Sequence, residues 1–259
     1  MKKHLIILCF LIFGIVLSFF SGPSSAAEKD SVARARQILE EVDDLWRADS
    51  SRSIVTMQVK TANYTRSVRM ENWSKGKDQS LVRIISPLKE KGTATLKSGN
   101  SVYTYLPKTD RTIRLTSSMM MGSWMGSHFT NDDLVKESRL SDDFDPDITF
   151  EGIREGRKVI EFTLVPKPDA PVVWGKIVTT VTDSDHLPIN SLYFDEDMVL
   201  MRSIVFSRIE MMGGRLLPKV LRVLPADKEG EYTELIYEEI SFGIDLPDSF
   251  FSLISLRRR

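Results

Sequence analysis

The chain has 259 residues, with 35 Lys and Arg against 36 Asp and Glu and a formal net charge of −1. That balance excludes the basic surplus with which proteins neutralise nucleic-acid phosphates. Cys9 is the only cysteine, so the chain cannot form an internal disulfide.

Lys2 and Lys3 precede an apolar run over 5–20, which Ser21-Gly22-Pro23 breaks before the small residues 24–27. That order predicts a cleaved signal peptide over residues 1–27 and export to the periplasm. The run approaches the roughly 18 residues of a membrane-spanning candidate, but the helix breaker and the small-residue site favour cleavage. Cys9 leaves with the leader. Residues 28–259 then carry 33 basic against 36 acidic side chains and are expected to form one domain.

Val32, Ala35, Ile38, Leu39, Val42, Leu45 and Trp46 recur at steps of three and four. This stripe predicts an amphipathic helix over 31–48, with Asp30 or Ser31 as its N-cap. After Ser51 the period changes to two. Runs at 54–60, 64–73, 80–85, 92–97, 101–106 and 111–116 are rich in Val, Ile, Thr and aromatics, and turn residues such as Gly99-Asn100 separate them. A second series covers 157–165, 173–182, 189–194, 199–210, 215–224 and 232–242, with Gly213-Gly214 as a hairpin signal. Short successive connections predict an antiparallel meander of about eleven or twelve strands, mainly β with accessory helices. Both faces of 199–208 and 215–224 are apolar, so part of that surface is expected to line a cavity.

Between the two series, 117–134 reads SSMMMGSWMGSHFTNDDL. Glycines and serines make this a poor core element. Met119, Met120, Met121 and Met125 offer adaptable apolar surface, and Trp124 adds to it. The stretch is expected to be a flexible lid over an apolar hollow, with Thr130 or Asn131 capping a short helix beyond it. Candidate residues for the cavity or its lid are Trp46, Met119, Met120, Met121, Trp124, Met125, Phe129 and Met201.

Signatures of catalysis are missing. There is no G-x-S-x-G, no glycine-rich phosphate loop and no H-E-x-x-H. His128 and His186 lie near aspartates, but the spacing lacks a complete ligand set. No catalytic residue, metal or cofactor is expected.

Several segments together resemble the broad periplasmic branch of the LolA-like outer-membrane lipoprotein-sorting protein family. They are VYTYLP at 102–107 with Arg111 and Arg114, MGSHFTNDDL at 125–134, LPI at 187–189 before Tyr193-Phe194-Asp195, Gly214-Arg215 with Pro218, and LPDSFFS at 246–252. The resemblance implies an unclosed half-barrel wrapped around helices, with an acyl-chain cavity. It implies a monomeric carrier for lipoprotein or lipid acyl chains, served by an inner-membrane transporter and an outer-membrane acceptor. The residues by which the best-known sorting protein releases cargo have no residue-by-residue counterpart here. A sensor or adaptor on the same fold, binding a partner protein or export pump, is the alternative.

Overall fold

The computed structural model describes residues 25–133, 140–168, 170 and 172–258. The basic start and apolar run of the expected leader lie outside the described residues. Helix α1, Ser25–Asp43, is followed by six strands: β1 Ser50–Lys60, β2 Thr65–Lys75, β3 Gln79–Ser86, β4 Ala94–Ser98, β5 Ser101–Leu106 and β6 Arg111–Arg114. Past the short helix α2, Leu140–Asp143, come seven more: β7 Phe144–Arg154, β8 Arg157–Pro166, β9 Lys176–Thr182, β10 Pro188–Phe194, β11 Leu200–Met212, β12 Arg215–Pro225 and β13 Tyr232–Phe242. Helix α3, Leu253–Arg257, ends the described chain.

The helix begins six residues before the predicted start at 31, because Ala26, Ala27, Glu28 and Lys29 are good helix formers. Asp30 and Ser31 therefore lie within it. It also ends sooner, at Asp43, and Leu45 and Trp46 follow in turns.

All thirteen strands form one antiparallel sheet in the order β6-β5-β4-β3-β2-β1-β13-β12-β11-β10-β9-β8-β7. Two meanders meet where β1 pairs with β13, and β6 and β7 are the two free edges. The sheet never closes on itself. It is the unclosed half-barrel that the sequence resemblance implied, with one strand beyond the twelve runs read. The additional strand with no counterpart among the sequence runs is β7, where Asp145-Pro146-Asp147 imitates a turn. Proline has no N–H to give a ladder and is tolerated on an edge strand, and β7 pairs with β8 alone.

The stripe of α1 packs onto the concave face. Ala35, Ile38, Leu39 and Val42 join Val55, Met57, Val68, Met70, Phe162, Leu164, Ile177 and Val223 in the main core. On the opposite face of β3–β5, Leu81, Ala94, Leu96 and Tyr105 are covered by Leu246, Phe251 and Leu256 from the C-terminal segment. Ser252 caps α3 by accepting from the Ser255 N–H at 3.3 Å. Period-two alternation places Leu81 under this cover and Val82 against the concave core.

The residues between β6 and β7 must run from one free edge of the sheet to the other, across the open side of the half-barrel. The methionine-rich stretch lies in that crossing.

Candidate functional site: a roofed cavity in the half-barrel

A cavity of about 190 Å³ lies between the end of α1 and the concave face. Its apolar wall includes Leu39, Val42, Trp46, Val82, Ile204, Phe206, Leu221 and Tyr237. Trp46 stacks on Phe206 with ring centroids 5.8 Å apart and on Tyr237 at 6.1 Å. The lining turns polar beside Trp46, whose backbone O accepts from the Ser51 hydroxyl at 3.0 Å, for a reason visible in the strand register. Ser51, Ser53, Val55 and Met57 of β1 face Ser74, Asn72, Met70 and Val68 of β2. The concave side thus changes from hydroxyl and amide to hydrocarbon along the strands. Ser51 and Ser74 share a hydrogen bond of 2.8 Å, and Asn72 Nδ2 donates to Ser53 Oγ at 3.4 Å.

Asp43 sits at the polar end, only 9% exposed. Its Oδ2 accepts from the Ser141 backbone N–H at 3.3 Å and from the Ser141 hydroxyl at 3.2 Å, tying α1 to α2. Burial pushes this carboxyl up to about 7, against the downward pull of those two hydrogen bonds and of the Lys77 and Arg47 charges. The folded protein therefore holds a proton that the unfolded chain releases near 3.8. The resulting stabilisation is full below that pH and is lost as pH rises through about 7. Between about pH 5 and about pH 8 the protein is expected to lose up to about 3 kcal/mol that Asp43→Asn retains. Thermal melting of both proteins across that range checks this, and parallel pH profiles would contradict it.

The crossing segment is pinned at many points. Trp124 N–H donates to Phe129 O at 2.8 Å, Asn131 N–H to Gly122 O at 3.0 Å and Asp132 N–H to Met120 O at 2.9 Å, folding the segment on itself. Met125 and Gly126 both take positive φ, 51° and 70°, a turn that glycine adopts without strain. Tyr64 donates its hydroxyl to Gly126 O at 2.6 Å, and Arg66 Nη1 donates to Met125 O at 2.5 Å. Thr130 and Asp133 cap each other: Thr130 N–H donates to Asp133 Oδ2 at 2.7 Å, and Asp133 N–H to Thr130 Oγ1 at 3.2 Å.

The strongest tie is charged. Arg202 on the concave face of β11 grips Asp133 with both terminal nitrogens, at 2.8 and 2.7 Å. Its guanidinium lies 4.7 Å from the Trp174 ring centroid and 4.5 Å from that of Tyr193. Both charged side chains are largely buried. Under this strap lies a second hollow of about 40 Å³, roofed by Phe129, Asp132 and Asp133. Leu140, Tyr193 and Ile204 border both hollows, so only side chains divide them.

A family model described as "Uncharacterized protein" matches residues 76–258. The chain belongs to that family. No curated protein matches it in sequence. In fold it is LolA-like: a LolA superfamily protein from Nitrosomonas europaea superposes with a TM-score of 0.72 at 22% identity, over 85% of this chain and 98% of that one. A DUF1329 family protein from Desulfovibrio piger gives 0.78 at 21% identity, over 87% and 99%. A candidate outer membrane lipoprotein-sorting protein domain from Vibrio parahaemolyticus gives 0.74 at 19%, over 88% and 100%.

On this LolA-like frame the sequence-derived residues separate into two groups. Trp46 lines the main cavity. Trp124 and Phe129 are buried at 5% and 6% exposure in the main core, and Met125 packs beside them. Met119 and Met121 are exposed and Met120 is half-buried; none of the three lines either hollow. Met201 points outward, because Arg202, Ile204 and Phe206 take the concave positions of β11. The segment differs from a loose flap with methionines facing inward. Its aromatic pair is what plugs the concave side, and the methionines sit above.

Arg202 and Asp133 are the partners that sequence reasoning missed. An arginine at the inward phase between Leu200 and Ile204 was the available signal, since a charge there needs a partner. The histidines also have partners. His128 Nε2 donates to Glu231 at 3.0 Å while its Nδ1 lies 2.9 Å from Thr233 Oγ1, and this contact holds the Glu231 carboxyl below the usual range. His186 lies 2.6 Å from Glu41. Both contacts join segments distant in sequence. Among the described residues, no group of three or more His, Cys, Asp or Glu is placed to hold a metal ion.

Proposed function

We propose that this protein is a periplasmic carrier that takes acyl chains of lipoproteins or lipids into the half-barrel and moves them toward the outer membrane. The observation that carries the reading is a hollow lined by Leu39, Val42, Ile204, Phe206 and Leu221, which shares Leu140, Tyr193 and Ile204 with a second hollow beneath a strap held by polar contacts. At about 190 Å³ the cavity is below the roughly 300–1,000 Å³ of drug-sized ligand sites. A long chain enters only if the strap lifts and the two hollows merge. The strap's hydrogen bonds and ion pair can then be exchanged for water, and the acyl chain can take the places that Trp124 and Phe129 hold in the core.

The LolA-like fold supports the same reading, as does the leader-like N-terminus. Among the described residues no helix is long and apolar enough to cross a membrane. The protein is a binding protein in this reading, not an enzyme, working as a monomer between an inner-membrane transporter and an outer-membrane acceptor.

The adaptor alternative has one observation in its favour. Met201, Val205, Ile209 and Met211 project from the outer face of β11 and are each at least 38% exposed, a stripe suited to a protein partner. Hydrogen exchange during titration with a long-chain acyl ligand separates the readings. A carrier is expected to bind saturably and to lose amide protection at Trp124, Asn131 and Asp132 as the strap lifts. Absence of saturable binding would overturn the carrier reading.

A further inference from the structure

We infer that the polar end of the cavity is a headgroup site for an acyl amphiphile with an uncharged, hydroxyl-bearing head such as glycerol or a sugar. The inference rests on the carrier reading and specifies its cargo. Trp46 Nε1, Arg47 Nη1 and Asn72 Oδ1 are buried with no hydrogen-bond partner, and all three residues line the cavity. Leaving buried polar atoms unpaired is costly, and three on the walls of one hollow point to a ligand that pairs them.

Their chemistry selects the head. Trp46 and Arg47 offer donors, whereas Asn72 Oδ1 is an acceptor that needs a donor. An ionised carboxylate or phosphate has nothing to donate to Asn72 and would meet the Asp43 carboxyl. An ammonium has nothing to accept with and would meet Arg47. A hydroxyl both accepts and donates, so adjacent hydroxyls can satisfy all three atoms. The Ser53 and Ser74 hydroxyls on the same walls extend the match. With its head at this end, the ligand's tail runs along Phe206, Ile204 and Leu221 toward the strap.

The test compares monolauroylglycerol, methyl laurate and laurate, which share one acyl chain, by calorimetric titration of the signal-free chain. The glycerol ester is expected to bind about tenfold more tightly than the methyl ester, the worth of one recovered hydrogen bond. Asn72→Leu should erase that preference, so that within this variant the glycerol ester binds no more tightly than methyl laurate, an outcome a merely structural role would not give. Trp46→Phe keeps the ring and removes the donor, and should reduce the preference in a protein whose fold is checked by its melting curve. Equal affinity for the two esters, or tightest binding of laurate, would overturn the headgroup site and leave the carrier reading intact. Failure of all three to bind saturably would overturn both.

Discussion

Arg202→Ala is expected to cost about 3–5 kcal/mol of stability, the usual price of orphaning one member of a buried ion pair. Asp133 would be left 12% exposed at its side chain without the guanidinium that holds both its oxygens. The rings of Trp174 and Tyr193 would lose the cation stacked on them. Urea unfolding reads the loss. Because Asp133 also caps Thr130, amide exchange should rise in the strap before it rises in the sheet. The double variant Arg202→Met with Asp133→Leu should recover much of the stability, since no buried charge remains. By contrast, Arg34→Ala should change stability by less than about 1 kcal/mol, because the Arg34–Glu151 pair is nearly half exposed. If Arg202→Ala were equally mild, the strap would be held by something other than this pair.

Leu39→Ala should cost about 2–5 kcal/mol, as truncation of a fully buried leucine does. Leu39 has 0% exposure in the contact between α1 and the sheet, and it also lines the cavity. The lost side chain therefore enlarges the space offered to an acyl chain. A long-chain ligand is expected to return more stability to Leu39→Ala than to the parent, seen as a larger ligand-induced rise in melting temperature. Phe162→Ala, also at 0% exposure but away from the cavity walls, should lose about 3–5 kcal/mol with no such recovery. Equal rescue of the two variants would mean that ligand does not occupy this hollow.

The sequence made some parts of this fold readable and hid others for physical reasons. The stripe from Ala35 to Val42 is a local, 3.6-period signal, and it marked the buried face of α1 correctly. Strands β1–β5 and β8–β13 were visible through alternation, because each buries side chains; β6 was read within 111–116 although none of Arg111–Arg114 is buried. β7 was not, although Phe144, Pro146, Ile148 and Phe150 alternate with Asp145, Asp147, Thr149 and Glu151; its acidic and proline residues are those of a turn. The pairing of β1 with β13, which joins the two meanders, leaves no local trace, since Ser51 meets Phe242 across most of the chain. The apolar second face of β11 was misleading. Ile204 and Phe206 line the hollow, but Met201 and Val205 face outward and exposed. Composition drew attention to 117–134, and the crossing between the sheet edges explains why. It could not separate Trp124 and Phe129, which plug the concave side, from Met119 and Met121, which do not. The polar corner of Asp43, Arg47 and Asn72 was invisible, because its three residues come from a helix end, a turn and a strand that only the folded sheet brings together.

The carrier reading is tested most directly by native mass spectrometry of the protein purified from its own cells without detergent. A carrier is expected to show a second species heavier by one lipid, whose added mass is released by organic extraction and regained when an acyl ligand is supplied. Arg202→Ala, with a loosened strap, should retain less of that species than the parent. Protein that emerges at the mass of the bare chain alone, and stays there after incubation with acyl ligand, would contradict the account.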